Sequence, residues 1–260
     1  MARFAVLLLA LSFGCPAHAQ TSQPPAEAKA NPSAKKPASP KAASAHPAAS
    51  GPCIGVIPAV GDRFGVKKIG LTVFGNEFKE ITVEKWGLDD LVVQRVQAAV
   101  GTGIVARRIA YPKGAFDTYR QAAGLFRNNE NSADLIRQVA GPVPCERYVV
   151  VTNSSTPIVG NQNISGVGIV LTGGSFLTKP LVHAVVHVAV HDGRTFAVLK
   201  EGIATLNGNT PLMGGHQTLK LDDTAWPEPP EAANTPAMRD ATRKLLAGIL
   251  DGSLPGLLSR

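Results

Sequence analysis

No stretch of this 260-residue chain is apolar over the roughly 20 residues that a membrane-crossing helix needs. Cysteine is scarce, at 3 residues, and no Cys-x-x-Cys pair occurs, so a redox or zinc-ribbon role has no support. Phosphate-binding fingerprints are missing as well. Gly160 to Gly168 is rich in glycine and asparagine, yet has neither the lysine of a P-loop nor the spacing of a dinucleotide fold. The formal charge of +7 is dispersed rather than clustered. Residues 20–50 carry Lys29, Lys35, Lys36 and Lys41 against Glu27, and residues 51–260 hold 21 basic and 18 acidic side chains. That is an ordinary surface, and it excludes nucleic acid as the expected partner.

What is present begins with an address. Arg3 precedes the apolar run Phe4 to Leu11, and Ala17-His18-Ala19 follows as a small-x-small cleavage pattern. The expectation is a signal peptide over residues 1–19, cut between Ala19 and Gln20, and a periplasmic or secreted protein. Cys15 invites lipidation, but bulky Phe13 stands where a lipobox needs a small residue. Removal of the signal leaves Cys53 and Cys145, an even number in an oxidising compartment. Each precedes a strand-like run, so both can lie at one end of a sheet. A bridge between them closes a loop of about 90 residues, worth on the order of 4–5 kcal/mol in the chain-entropy model. The alternative is a pair of buried, inert thiols.

Residues 20–50 collapse to Ala, Pro, Ser and Lys and read as a disordered tether, because they cannot bury enough apolar surface to offset ordering. From residue 51 onward the chain reads as one globular domain. Strands are expected at Ile54–Val60, Lys67–Phe74 and Phe78–Val83, the last two as a hairpin around Gly75-Asn76-Glu77. Helical spacing of Leu88, Leu91, Val92, Val96 and Ala99 predicts a helix over Leu88–Val100 that ends at Gly101. A strand at Ile104–Tyr111, helices near Ala115–Phe126 and Ala133–Val139, and a doubly buried strand at Tyr148–Val151 follow. Ser165–Leu171 and Leu181–His191 are strands, and Asp192-Gly193 is a tight turn into Thr195–Leu199. Residues 203–234 form a long connection. Thr235-Pro236 then starts a helix that runs to about Leu250, with Gly252 as its stop. The fold class is α/β or α+β: a single layered domain with a mixed, partly antiparallel sheet flanked by helices.

Among candidate sites, His183, His187 and His191 recur every four residues. On a helix they could share a metal; but Val182, Ala184, Val186, Val188 and Val190 alternate with them at the period of a strand. Histidines four apart in a strand stand roughly 13 Å apart, too far to chelate one ion among themselves. They are expected as imidazoles on the less buried face, with His216 the one further histidine of the domain. No cofactor or metal is expected.

The block Val60-Gly61-Asp62-Arg63-Phe64 is similar to the strand–Gly-Asp-Ser block of SGNH hydrolases, but Arg63 occupies the nucleophile's place and cannot attack an ester. Carboxylates available for acid–base work are Asp62, Glu77, Asp89, Asp90 and the Asp222-Asp223 pair, each of which also suits a surface or cap role. Arg107-Arg108 reads as strand-edge charge, with one anion contact as the alternative, since alternation puts the two guanidiniums on opposite faces. Trp86 and Trp226 either stack on a sugar or close the core. Asn163-Ile164-Ser165 is formally a glycosylation sequon.

The segments Val56-Ile57-Pro58-Ala59-Val60-Gly61-Asp62, Lys85-Trp86-Gly87-Leu88-Asp89-Asp90-Leu91 and Leu221 to Pro230 resemble uncharacterised secreted proteins of alphaproteobacteria, over most of residues 52–258. The resemblance brings no activity. More distantly, the strand order and the Asp-Gly hairpin are similar to small envelope domains of the TolB N-terminal or curli-secretion lipoprotein type. Three functions follow as expectations. The first is a non-catalytic module that binds another envelope protein or wall polymer. The second is a hydrolase of envelope material, and the third a histidine-dependent metal binder.

Overall fold

A strand of twelve residues, Leu181–Asp192, organises the sheet. The computed structural model describes residues 52–70, 73–117, 129–159, 162–173, 179–206 and 217–259. In chain order the strands are β1 (Cys53–Ala59), β2 (Arg63–Ile69), β3 (Glu77–Thr82), β4 (Val105–Arg108), β5 (Arg147–Asn153), β6 (Ser155–Val159), β7 (Gln162–Thr172), β8 (Leu181–Asp192), β9 (Val198–Ile203) and β10 (Thr218–Lys220). The α-helices among the described residues are α1 (Leu88–Val100), α2 (Asn129–Ala140) and α3 (Pro236–Leu258). The main strand order is β3-β2-β7-β8-β5-β1-β4. β1 runs parallel to both β4 and β5, and β2 parallel to β7, while β8 is antiparallel to its neighbours. This is the mixed layered α/β domain that the alternation of elements predicts.

The length of β8 lets it serve two sub-sheets. Its first residues pair with β7 and β10, and its later ones with β5 and β9. Val182, Ala184, Val186, Val188 and Val190 face the main core, together with α1 and α3 residues such as Val92, Val96, Leu246, Ile249 and Leu250. Burial of each such Val, Leu or Ile side chain contributes roughly 1.5–3 kcal/mol relative to exposure. The opposite face is covered too. One cluster there gathers Ile57, Ile109, Ile136, Tyr148 and Phe196, and another Ile69, Ile164, Val170, Leu181 and Val185.

α1 spans the expected residues, with Gly87 at φ 58° before it and Gly101 as its C-cap. Several other elements differ from expectation. β2 begins at Arg63, four residues early, because the chain turns sharply at Gly61 (φ 82°) and pairs at once with β3, and from Gly65 onward with β7 as well. The Gly/Asn-rich segment is strand from Gln162 onward, because the short β6 supplies its partner; Pro157 hid that strand from a propensity reading. The turn after β8 is longer than two residues. Its positive φ falls at Phe196 (60°), while the Asp192 carboxylate accepts hydrogen bonds from the amides of Arg194 and Thr195. Beyond Asp117, the helix expected over Ala115–Phe126 lies outside the described residues, as does His216.

Gly252 does not stop α3, which continues through Pro255 to Leu258. The glycine serves close packing instead. A Cβ at position 252 would lie 2.4 Å from the Leu206 carbonyl oxygen and 2.6 Å from that of Thr205. One residue on, Ser253 Oγ accepts from the Thr205 amide at 2.8 Å and donates back to its carbonyl. Gly252→Ala gains helix propensity of about 1 kcal/mol, but the overpacking outweighs it. A net loss of about 1–2 kcal/mol in urea unfolding is expected; a gain would show that the helix can shift outward without cost.

Candidate functional site

Because β1, β4 and β5 are parallel, their carboxyl ends lie together at one end of the sheet. The first turn of α1 reaches the same end. A cavity of about 500 Å³ opens there, lined by the loop after β1, the loop after β4, the start of α1 and Asn153 at the end of β5. The carboxyl ends of parallel strands are where open α/β sheets commonly place ligands, since the connecting loops diverge there.

Asp89 ties these parts together. Its Oδ1 accepts from the Gly61 amide at 2.9 Å and its Oδ2 from the Tyr111 hydroxyl at 3.1 Å, while Arg108 Nη2 stands 3.7 Å away. The Tyr111 hydroxyl also lies 3.0 Å from the Pro58 carbonyl, so its single proton is shared between two acceptors. Burial pushes the Asp89 carboxyl above its ordinary range, against the pull of Gly61, Tyr111 and Arg108. Burial likewise raises the Tyr111 phenol, and the Asp89 charge adds to the effect. Arg108 pairs with Asp90, and Lys113 Nζ lies 3.9 Å from Asp62. Asn153, buried, donates from Nδ2 to the Val60 carbonyl at 2.7 Å.

A second cavity of about 370 Å³ adjoins the first, and Arg63, Asp117 and Asn153 line both. Arg63 donates to Glu80 at 2.9 Å across the β2–β3 hairpin. Phe78, 62% exposed, lines this cavity with Glu80 and Ser165.

Of the carboxylates singled out in the sequence, Asp62, Asp89 and Asp90 line the first cavity. Glu77 sits on β3 with Lys68 at 3.8 Å, and Asp222 and Asp223 begin a 3₁₀ turn; none of these three lines either cavity. Arg108 is a cleft residue and more than strand-edge charge. Trp86 is buried against Phe64, with its Nε1 donating to Asn234, and Trp226 packs half-buried on the core. Asn163, the sequon asparagine, lies in β7, and its backbone carbonyl accepts from Lys67 Nζ at 2.7 Å. Tyr111, Lys113 and Asn153 escaped the sequence reading. One signal existed for Asn153: a polar residue that closes the apolar run from Tyr148.

The histidines are corrected. His183 and His191 are each 2% exposed rather than on an open face, because clusters cover both sides of β8. They do not converge. His183 hydrogen-bonds to the Ser165 backbone, His187 Nε2 is 3.3 Å from Glu201, and His191 Nδ1 donates to the Phe196 carbonyl at 2.9 Å. Among the described residues, no group of three or more His, Cys, Asp or Glu side chains is placed to hold a metal ion. Cys53 and Cys145 are joined by a disulfide, and no helix among the described residues is long and apolar enough to cross a membrane.

No family model matches the chain, and no curated protein matches it. Similar solved structures include a Xanthomonas campestris protein of the DUF330 family, at 11% identity and a TM-score of 0.34 over 78% of this chain and 83% of that one. A hypothetical protein of Chlamydia trachomatis matches at 12% identity and 0.31, over 79% of this chain and 98% of that one. A lipoprotein of Neisseria meningitidis matches at 13% and 0.25, over 59% of this chain and 80% of that one. At these scores neither family nor function follows.

Proposed function

We propose that the chain is a non-catalytic module of the cell envelope, periplasmic or secreted, that binds an envelope protein or wall polymer through the cleft at the carboxyl ends of β1, β4 and β5. The reading includes cleavage after Ala19 and a mature chain that starts at Gln20 with a flexible tether. One observation favours the binding over the hydrolytic reading: Asp62, Asp89 and Asp90, the cleft carboxylates that stand out in the sequence, are already committed to partners. Both Asp89 oxygens accept hydrogen bonds, Asp90 pairs with Arg108, and Asp62 faces Lys113. A general acid needs a proton on an oxygen free to give it up. Asp89 instead acts as a post that holds Gly61 and Tyr111 in place.

Photocrosslinking in a Gram-negative host tests this. A photoreactive residue at Lys113, whose side chain is 85% exposed at the cleft, is expected to form a discrete adduct with an envelope component. The same residue at Lys244, on exposed α3 surface, is expected to form none. Identical patterns at the two positions would remove the cleft from the reading.

A further inference from the structure

We infer that the two adjoining cavities form one groove that takes a neutral, polyhydroxylated chain, a glycan strand, with the exposed ring of Phe78 as its stacking platform. This rests on the binding-module reading above and names its ligand class. Arg63, Asp117 and Asn153 line both cavities, so an extended ligand can pass from the β1–β4 end to the β2–β3 hairpin without leaving the wall they share.

The charges of the groove argue against an anionic ligand, since its lining carries Asp62, Glu80, Glu84, Asp89, Asp90 and Asp117 against Arg63, Arg108 and Lys113. Arg63 faces Glu80, Lys113 faces Asp62, and Arg108 faces Asp90 and Asp89. An anion would have to displace a carboxylate from its cation and then face the carboxylates that remain. Hydroxyl groups need no such exchange. Each is both donor and acceptor, and can meet the outer lone pairs of a carboxylate or the outer N–H groups of a guanidinium while the ion pair stays intact.

Phe78 supplies the apolar surface that such a ligand needs. It sits two residues from Glu80 on β3, so both side chains project from one face of the strand. Its ring lies against Gly65 of β2, 3.3 Å from where a Cβ would stand, and its outer side is open to solvent. An exposed aromatic ring beside paired carboxylate and guanidinium groups matches the two aspects of a pyranose, a flat C–H face and a rim of hydroxyls.

Isothermal titration of the exported, disulfide-bonded protein with N-acetylchitopentaose and with cellopentaose, both uncharged, tests the inference. Binding of at least one probe is expected, with a Kd that changes less than about twofold between roughly 0.05 and 0.5 M NaCl, since no net charge is exchanged. Phe78→Ala is expected to weaken binding roughly tenfold, and Phe78→Tyr to retain it; Phe78 is exposed, so neither substitution threatens the fold. No binding of either probe, binding that collapses in salt, or equal affinity for Phe78→Ala would overturn the inference. If the Lys113 crosslink still captures an envelope protein while both glycans fail, the ligand class falls and the binding-module reading stands; if both fail, they fall together.

Discussion

Breaking the Cys53–Cys145 bridge is expected to remove about 4–5 kcal/mol of stability. The bridge joins residues 92 apart in sequence, and the loop it closes contains β1, β2, β3, α1, β4 and α2. In the unfolded chain that loop becomes free to expand, which accounts for the magnitude. In the folded state the same strands stay adjacent without it, since the Glu146 amide donates to the Cys53 carbonyl at 3.0 Å and Ile54 is in register with Arg147. The reduced protein is therefore expected to fold, but marginally, because small domains hold only 5–15 kcal/mol in total. Guanidinium unfolding of the oxidised protein and of a Cys53→Ser/Cys145→Ser variant measures the difference; coincident midpoints would mean that the bridge constrains nothing. Protein made in a reducing cytoplasm would show the variant's behaviour.

Acid is expected to destabilise the fold between about pH 6.5 and 4 through His183. Burial, with a smaller contribution from Lys67, lowers the pKa of this imidazole to about 4, against 6.5 when exposed. Its Nδ1 has no partner among the described residues, and its ring lies over Gly168, where a Cβ would come within 2.7 Å of Cε1. The unfolded chain takes up a proton as the pH falls below 6.5, whereas the folded chain resists until about 4. Stability therefore declines with falling pH across that window, by about 2 kcal/mol at pH 5 and about 3 kcal/mol at pH 4. Asp89 acts with the opposite sign, because its raised carboxyl pKa makes the folded state bind its proton first. That contribution is common to the wild type and a His183→Gln variant and cancels between them. Urea unfolding at pH 7 and pH 5 is expected to show the variant losing about 2 kcal/mol less than the wild type, whatever its absolute stability. Equal losses would place the acid sensitivity elsewhere.

The candidate site was half legible. Gly61-Asp62 and Asp89-Asp90 stand out as a turn at a strand end and the first turn of a helix, since both obey local rules. Arg108 and Tyr111 read only as part of an edge strand, and Asn153 as nothing, because their meaning lies in what they meet across the sheet. Phe78 was one alternating residue of a hairpin strand. Its position over Gly65 follows from the β2–β3 register, which a single strand does not reveal.

What the chain determined by itself is what short-range physics dictates: the span of α1 from its apolar period and flanking glycines, the strand character of Leu181–His191 from strict alternation, and the mixed layered class from the succession of elements. Tertiary structure alone decided the rest. Gly252 reads as a helix end until the Leu206 carbonyl lies against it, and His183 reads as exposed until a second cluster covers that face of β8. Parallel pairing of β1, β4 and β5 is a contact among residues dozens of positions apart, and it gathers Asp62, Asp89, Arg108 and Asn153 at one cleft. Periodicity reports which face a side chain takes, whereas burial and convergence depend on which distant element packs against that face.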